Sequence, residues 1–443
     1  DQTFVNELYS VPFRSLYSRN IANLMLVGRC ISVSHVAMGS IRVMNSLGAA
    51  AQSVGMAAAI CNEKNVEPRQ IAEDHIAELQ QRLLRADVHL IRLPNQDHRD
   101  LARAAEITSS SDQPYQAEHS TGSLELKYDL AQQFPVTPGH IKSVGVRLQS
   151  ERSDVCEIVA SVYRSHTLGR FDEQTPVAEK TIKVDPNSSS WIDVKLNEDT
   201  TDPSLLWICL SAQPGVFWSY SGEEALGTRF AARFDGELVP RPSHGKARIA
   251  PVTDDWFPLN HHGRLPQELH DWMSETVGIE FDRKVRATLC HRVKYADAPT
   301  SLTSPYQATN VTNGISRAED WPNIWISDRS QPLPQSVSLK WGDTKQVHEI
   351  SLAFDTDLDA PDRCYGWPRE AHRFVFPVPQ CVKDYRIMGR LGDNWMELVD
   401  IRDNYNRRRI HMLTDPVNLD ELRVEVLATH GSPSAHIYEI RAY

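Results

Sequence analysis

The sequence predicts a multidomain chain: an α/β portion over residues 1–110, followed by two antiparallel β-sandwich domains over 111–245 and 293–443. A helix-bearing linker is expected at 246–292. Three observations predict this. The 443 residues suffice for three domains at about 150 residues each. An Ala- and Gly-rich helical pattern is confined to the first 110 residues. After the polar stretch at 108–112, short alternating segments bounded by turn residues take over, as in antiparallel sandwiches.

Taken in order, residues 23–28 (Asn-Leu-Met-Leu-Val-Gly) form a short apolar run ending in glycine, which predicts a buried strand. A helix is expected over 45–64. There Gly48, Ala51 or Gln52, Gly55, and Ala58 or Ala59 recur at steps of three and four, leaving one face nearly bare for close approach of a backbone or ligand. Pro68 opens a more polar helix over 69–85, with Ile71, Ile76, Leu79, Leu83 and Leu84 along one side. In the middle domain strands are expected at 123–128, 141–148, 156–163, 178–184, 191–196, 205–210 and 228–234. Turn residues such as Pro138-Gly139 and Asp185-Pro186-Asn187 punctuate them. The linker carries a helix at 266–276. The last domain has expected strands at 336–341, 347–354, 384–391, 395–402, 408–414, 421–428 and 435–441.

The 47 basic residues against 58 acidic ones leave a net charge of −11. The first 110 residues hold 11 of each sign, so the whole acidic excess lies in 111–443. Such a balance disfavours polyanions, and no nucleic-acid partner is expected. The longest small and apolar run, 47–61, is broken by Gln52 and Ser53 and falls short of the ~20 residues of a membrane span, so none is expected. The chain opens at Asp1 without a basic or apolar leader and reads as the C-terminal portion of a longer polypeptide. The seven cysteines are scattered without a CxxC pair, which points away from zinc. One bridge, for instance Cys364–Cys381 or Cys156–Cys209, is compatible with the count. His261-His262 has no carboxylate or thiol at metal spacing, and no metal site is expected. No G-x-S-x-G elbow or P-loop occurs; Asn187 and Asn310 begin glycosylation-type triplets.

The chemistry concentrates in Val27-Gly-Arg-Cys-Ile-Ser-Val-Ser-His-Val-Ala-Met-Gly-Ser-Ile-Arg-Val-Met44. This is a glycine-ended run, a loop with one His, one Arg and several Ser, and then the positive end of a helix, which anchors anionic or electron-rich groups. On spacing alone it also fits the buried strand and helix of any α/β domain, with Arg42 in a surface ion pair.

Together with Tyr9-Ser-Val-Pro-Phe-Arg-Ser-Leu16 and Gln52…Gly55-Met-Ala-Ala-Ala59, this stretch resembles the last block of the FAD-dependent oxidoreductases related to succinate dehydrogenase and fumarate reductase flavoproteins. The resemblance covers residues 1–110 and implies the C-terminal part of an FAD-binding, Rossmann-type α/β domain. By that resemblance, Gly28 and Arg29 lie near the ribityl and phosphate region. Ser40, Arg42, Val43 and Met44 border the isoalloxazine, with Asn45 and Ser46 at the helix start near its N1/O2 edge. His35 and Arg42 face the substrate: Arg42 holds an anionic or carbonyl oxygen, and His35 moves a proton as hydride passes to or from flavin N5. Two features depart from the family. Its Gly-Gln-Ala-Ala-Gly is here Ala51-Gln-Ser-Val-Gly55, and the G-x-G-x-x-G that cradles the pyrophosphate occurs nowhere in the 443 residues. A missing FAD-binding segment or partner chain is therefore expected.

Tyr306-Gln-Ala-Thr-Asn-Val-Thr-Asn-Gly314, Trp321-Pro-Asn-Ile-Trp325, Gln335-Ser-Val-Ser-Leu-Lys-Trp341 and the late strands with Trp395 resemble a discoidin-type, carbohydrate-binding β-sandwich. That resemblance implies aromatic rings on the rim that stack on sugar faces, and it favours a periplasmic or extracellular protein. The expected function is hydride transfer between FAD and a hydroxyl-bearing substrate, with a saccharide as the candidate. The alternative is a non-catalytic glycan-binding or adhesion protein with a remnant flavin-fold segment.

Overall fold

A computed structural model describes residues 2–4, 9–115, 117–173, 175–222, 225–234, 247–249, 256–258, 267–277, 288–296, 304–358 and 377–443. The first unit is helical. Ser34 caps α1 (His35–Ile41), its side chain accepting from the Ala37 N–H. α2 (Met44–Lys64) stops where Asn65 turns left-handed at φ 54°. Pro68 starts α3 (Pro68–Asp74) within a Glu67/Gln70 capping box, and α4 (Ile76–Arg85) follows after a break at His75. The single helix expected over 69–85 is thus two. Ile71 and Ile76 are five residues apart, so the apolar stripe slips out of its three–four rhythm there, and the break lets both sides reach the core of Ala57, Ile60, Leu79 and Leu83.

The strand expected at 23–28 is not formed. Only an isolated bridge, Tyr17↔Met25, remains, and the helical unit holds no parallel sheet among the described residues. A strand needs neighbours for its N–H and C=O groups; this segment bonds Leu16 and Ser18 across the bridge and otherwise closes local turns with Ile21 and Ile31. The α/β character expected of residues 1–110 is therefore absent from these helices. The nearest thing to a sheet there is Gln2–Phe4, which pairs in parallel with Ala247–Ile249.

The middle unit is an antiparallel sandwich of two six-stranded sheets. One holds Gly122–Glu125, Gly139–Ser150, Ser189–Thr200, Val216–Ser221, Thr288–Leu289 and His291–Tyr295; the other holds Leu130–Val136, Cys156–Ser165, Ala178–Val184, Ser204–Leu210, Arg229–Arg233 and Trp256–Pro258. Between them lies a core that includes Phe134, Val146, Ile158, Ile208, Trp218 and Phe230. α5 (Gln267–Val277) adds Leu269, Trp272 and Met273 to that core, so part of the 246–292 stretch is built into the sandwich. Leu130–Val136 was not expected because it is buried along its whole length and carries no alternation. Its Gln132 and Gln133 are satisfied inside: Gln132 Nε2 donates to the Arg229 carbonyl, and Gln133 Oε1 accepts from the Gly169 N–H.

The last unit is a seven-stranded antiparallel sheet folded over on itself. Its two long strands, Gln335–Phe354 and Arg408–Thr429, each replace a pair of shorter expected ones. Register shifts at Lys340/Lys345 and Val347/Glu349 let one half pair near Glu421–Val426 and the other near Arg408–Met412. Trp325, Ile350, Phe354, Tyr385 and Val424 fill the fold between. Glu106–Ser109 adds an edge strand to this sheet rather than to the first unit. Cys156, Cys209 and Cys381 are free thiols, so neither bridge considered is present, and Cys364 lies outside the described residues.

Residues 84–105 bind the helical unit to this sheet. Arg441 donates to the Leu84 carbonyl and Arg408 to that of Arg85, capping the C-terminal end of α4 with charge of the favoured sign. His89 meets Glu319 at 2.7 Å, Arg407 meets Asp87 at 3.2 Å, and the Asn95 N–H donates to the Gly314 carbonyl at 2.7 Å. Gly314 stands at φ +89°, and a Cβ there would lie 2.8 Å from the Asn95 nitrogen. Gly314→Ala is expected to lower stability by about 2 kcal/mol, read as a lower urea midpoint, through left-handed strain and that backbone clash.

Candidate functional site

The residues expected to line a flavin gather at one corner, where α1 and α2 meet at 96°. Below the corner Leu16, Ile31, Ile41 and Ala50 form a small buried core with Phe13, Val27, Met38 and Leu47 packed against it. Gly28, at φ +88°, turns the chain after Val27, and the Leu26 and Ser32 N–H groups tie the loop to the carbonyls of Leu16 and Ser15. Arg29 points from this turn as an exposed side chain. The sequence folds this way locally because each apolar residue of the loop faces the small core while its charged and polar residues face out.

His35 is the first residue of α1 and Arg42 is its C-cap; both are exposed. Ser40 is exposed and its carbonyl accepts from the Tyr9 hydroxyl at 3.0 Å. Val43 is the N-cap of α2 and offers no side-chain acceptor, so the first-turn N–H groups of Met44, Asn45 and Ser46 have no side-chain cap. The corner thus carries all nine expected site residues on one stretch of chain. Its outer surface is apolar to an unusual degree: Val36 and Met44 are each 86% exposed, with Tyr9 and Val43 beside them in sequence or by hydrogen bond. Val36 and Tyr9 were not singled out from the sequence. Val36 follows the N-cap Ser34 and His35 and precedes Ala37, where nothing in the spacing separates an outward valine from an inward one.

The small-residue stripe of α2 also faces outward. Gly48, Ala51, Gln52, Gly55, Ala58 and Ala59 are exposed, and a Cβ placed on Gly39, Gly48 or Gly55 would meet nothing within 4 Å. Within this chain the glycines therefore serve no close contact. Solvent-facing helical glycine costs about 0.5–1 kcal/mol against alanine. A donor-rich helix start, a bare helix face and an apolar rim are together suited to a flat, electron-rich ring laid against α2.

Residues 2–83 match the family of FAD dependent oxidoreductases. The matched segment contains α1 to α3, most of α4 and the whole corner. No curated protein matches the chain. Among solved structures, the chain is similar to the family 32 carbohydrate-binding module of C. perfringens NanJ in complex with galactose, at 16% identity and TM-score 0.24, covering 31% of this chain and 85% of that one. It is similar to the family 32 module of Streptococcus pneumoniae EndoD at 14% identity and TM-score 0.23, covering 34% and 90%. A chitosan-binding module from Paenibacillus sp. IK-5 follows at 13% and 0.24, covering 32% and 86%. Both resemblances read from the sequence thus meet a counterpart, while scores this low carry nothing about ligands.

Of the other sequence candidates, Asn310 is buried and donates to the carbonyls of Pro305 and Ile324, which removes it as a glycosylation acceptor. His261 and His262 lie outside the described residues. Among the described residues no helix alone is long and apolar enough to cross a membrane.

Proposed function

We propose that the corner of α1 and α2 is one wall of the flavin site of an FAD-dependent oxidoreductase acting on a hydroxyl-bearing substrate, with saccharides as the substrate class. The match over residues 2–83 carries this reading, and the outward-facing bare stripe supports it. Gly28 and Arg29 would hold the ribityl and phosphate side. Val43 and Met44 would pack on the ring, and the uncapped N–H groups of Asn45 and Ser46 would receive its N1/O2 edge. FAD supplies the two-electron chemistry when bound. His35 would take or return the proton of the substrate hydroxyl, and Arg42 would hold the substrate's oxygen, both from exposed positions at opposite ends of α1. A segment outside these residues, or a partner chain, would close the other walls. Fusion to sandwich domains favours a protein that works outside the cytoplasm.

The test is a visible spectrum with mass spectrometry of the protein purified from its native source. Flavin bands near about 370 and 450 nm and released FAD are expected; a colourless, folded, FAD-free protein overturns the reading. A second check uses the stripe. Gly48→Ala and Gly55→Ala should each raise the stability of this chain by about 0.5–1 kcal/mol, since the added methyl meets open space. Gly48→Leu should leave the chain folded yet strip the yellow colour from the assembled protein.

The alternative, a glycan-binding protein without catalysis, is favoured by one feature. Trp395 is 38% exposed on the C-terminal sheet and backed by the Arg423 guanidinium at 4.2 Å, leaving an indole at the surface. A glycan array on the colourless protein would decide for it.

A further inference from the structure

Away from the corner, an open cavity of about 380 Å³ lies where α2, α4 and the C-terminal sheet meet. Arg82, Arg85, Arg99 and Arg408 line it, with Met56 and Ala86; no carboxylate is among the lining residues. The acids that partner these arginines belong to residues outside that lining. Glu63 and Glu78 hold Arg82, Glu349 holds Arg85, and Asp97 holds Arg99. Arg85 is further fixed by the Tyr443 ring, 4.1 Å from its guanidinium carbon. These pairs orient the guanidinium groups while satisfying only part of each five-donor fork.

Arg408 differs from the other three. It has no carboxylate within 4 Å among the described residues, and it donates only to the Arg85 carbonyl. Burial pulls its pKa below the usual guanidinium range and the Arg441 charge adds to this, while the more distant carboxylates of Asp87, Glu439 and Glu349 act the other way without pairing with it. The dipole of α4 accounts for Arg408 and Arg441, which donate to its terminal carbonyls. It does not account for Arg99, which comes from the loop beyond and is turned to the same wall by Asp97.

We propose that this cavity binds a small organic anion: one carboxylate, sulfate or phosphate group read by Arg99 and Arg408, on a compact body that rests against Met56 and Ala86. Planar guanidinium forks suit such oxyanions by paired, charge-assisted hydrogen bonds. The volume admits a ligand of about one sugar ring. The site stands on its own residues and is independent of the flavin reading.

The experiment is isothermal titration of the whole protein with D-glucuronate, inorganic sulfate and inorganic phosphate, at fixed ionic strength in chloride, with D-glucose as the neutral control. Saturable heat with at least one anion and none with glucose is expected. Arg99→Gln, at an exposed side chain, should weaken that binding about tenfold. Arg408→Gln should do the same if it folds; Arg408→Lys serves in its place if it does not. Absence of saturation with all three anions overturns the proposal, as does binding that Arg99→Gln leaves unchanged. An Arg99→Gln variant that loses anion binding while the yellow colour persists would separate this site from the flavin corner.

Discussion

Acidification from pH 6.5 to pH 4 is expected to remove about 3 kcal/mol of stability through His291 alone. This histidine is fully buried in the middle sandwich. Its Nδ1–H donates to the Leu289 carbonyl at 2.7 Å, its Nε2 accepts from the Tyr115 hydroxyl at 2.8 Å, and the Phe134 ring lies 4.5 Å away. Both nitrogens are occupied in the neutral tautomer, and burial drives the pKa down to about 4. The unfolded chain takes up its proton near pH 6.5, the folded one only near pH 4, so stability falls as pH drops through that window and levels off below it. His411, paired with the Tyr385 hydroxyl at 2.9 Å and likewise held at about 4 by burial, acts with the same sign. Asp100 opposes both: burial raises its pKa to about 6, so its protonation gains stability as pH falls from about 6 toward 3.8. Asp355 and Asp97, whose pKa values are lowered, act only below the window. Urea unfolding at pH 7, 5.5 and 4 isolates the effect when the protein is compared with His291→Gln. The variant's stability should depend on pH less steeply by about 3 kcal/mol across the window. Parallel curves would show that His291 does not titrate there.

Replacement of His35 or Arg42 by alanine is expected to lower turnover by about 10² to 10⁴-fold in the flavin-loaded protein. Both side chains are exposed at the ends of α1, so neither replacement opens a cavity, and thermal midpoints should stay within about 1 °C of the parent. The two should also separate by kinetics. Loss of Arg42, which would hold the substrate's oxygen, should raise KM as well as lower kcat. Loss of His35 should act on kcat and flatten its pH profile. Turnover unchanged in both variants, with colour retained, would remove them from the catalytic role.

Several strands with one wet face were legible in the sequence, although Glu106–Ser109 and His291–Tyr295, which are also partly exposed, were not expected. Ala178–Val184 alternates and emerges with the boundaries expected of it. Leu130–Val136 and Val216–Ser221, buried nearly throughout, gave no such signal. Continuity was the harder matter: residues 342–346 separate two expected strands in the sequence, but a register shift carries a single strand through them. At the corner, the three–four spacing of small residues announced a bare face on α2, and the structure turns that face outward. The strand at 23–28 was misread because an apolar run specifies burial without specifying partners, and here the partners are single residues of a loop.

The seam between residues 84–105 and the C-terminal sheet has a consequence for how the chain can be rearranged. Because Glu106–Ser109 is a strand of that sheet, the path leaves one folded body near residue 113 and returns to it at 304, where the Ser304 hydroxyl donates to the Gln113 carbonyl. The middle sandwich is an excursion whose entrance and exit touch. Such an arrangement tolerates excision or exchange of the excursion, whereas a cut at residue 110 would divide a single body in two.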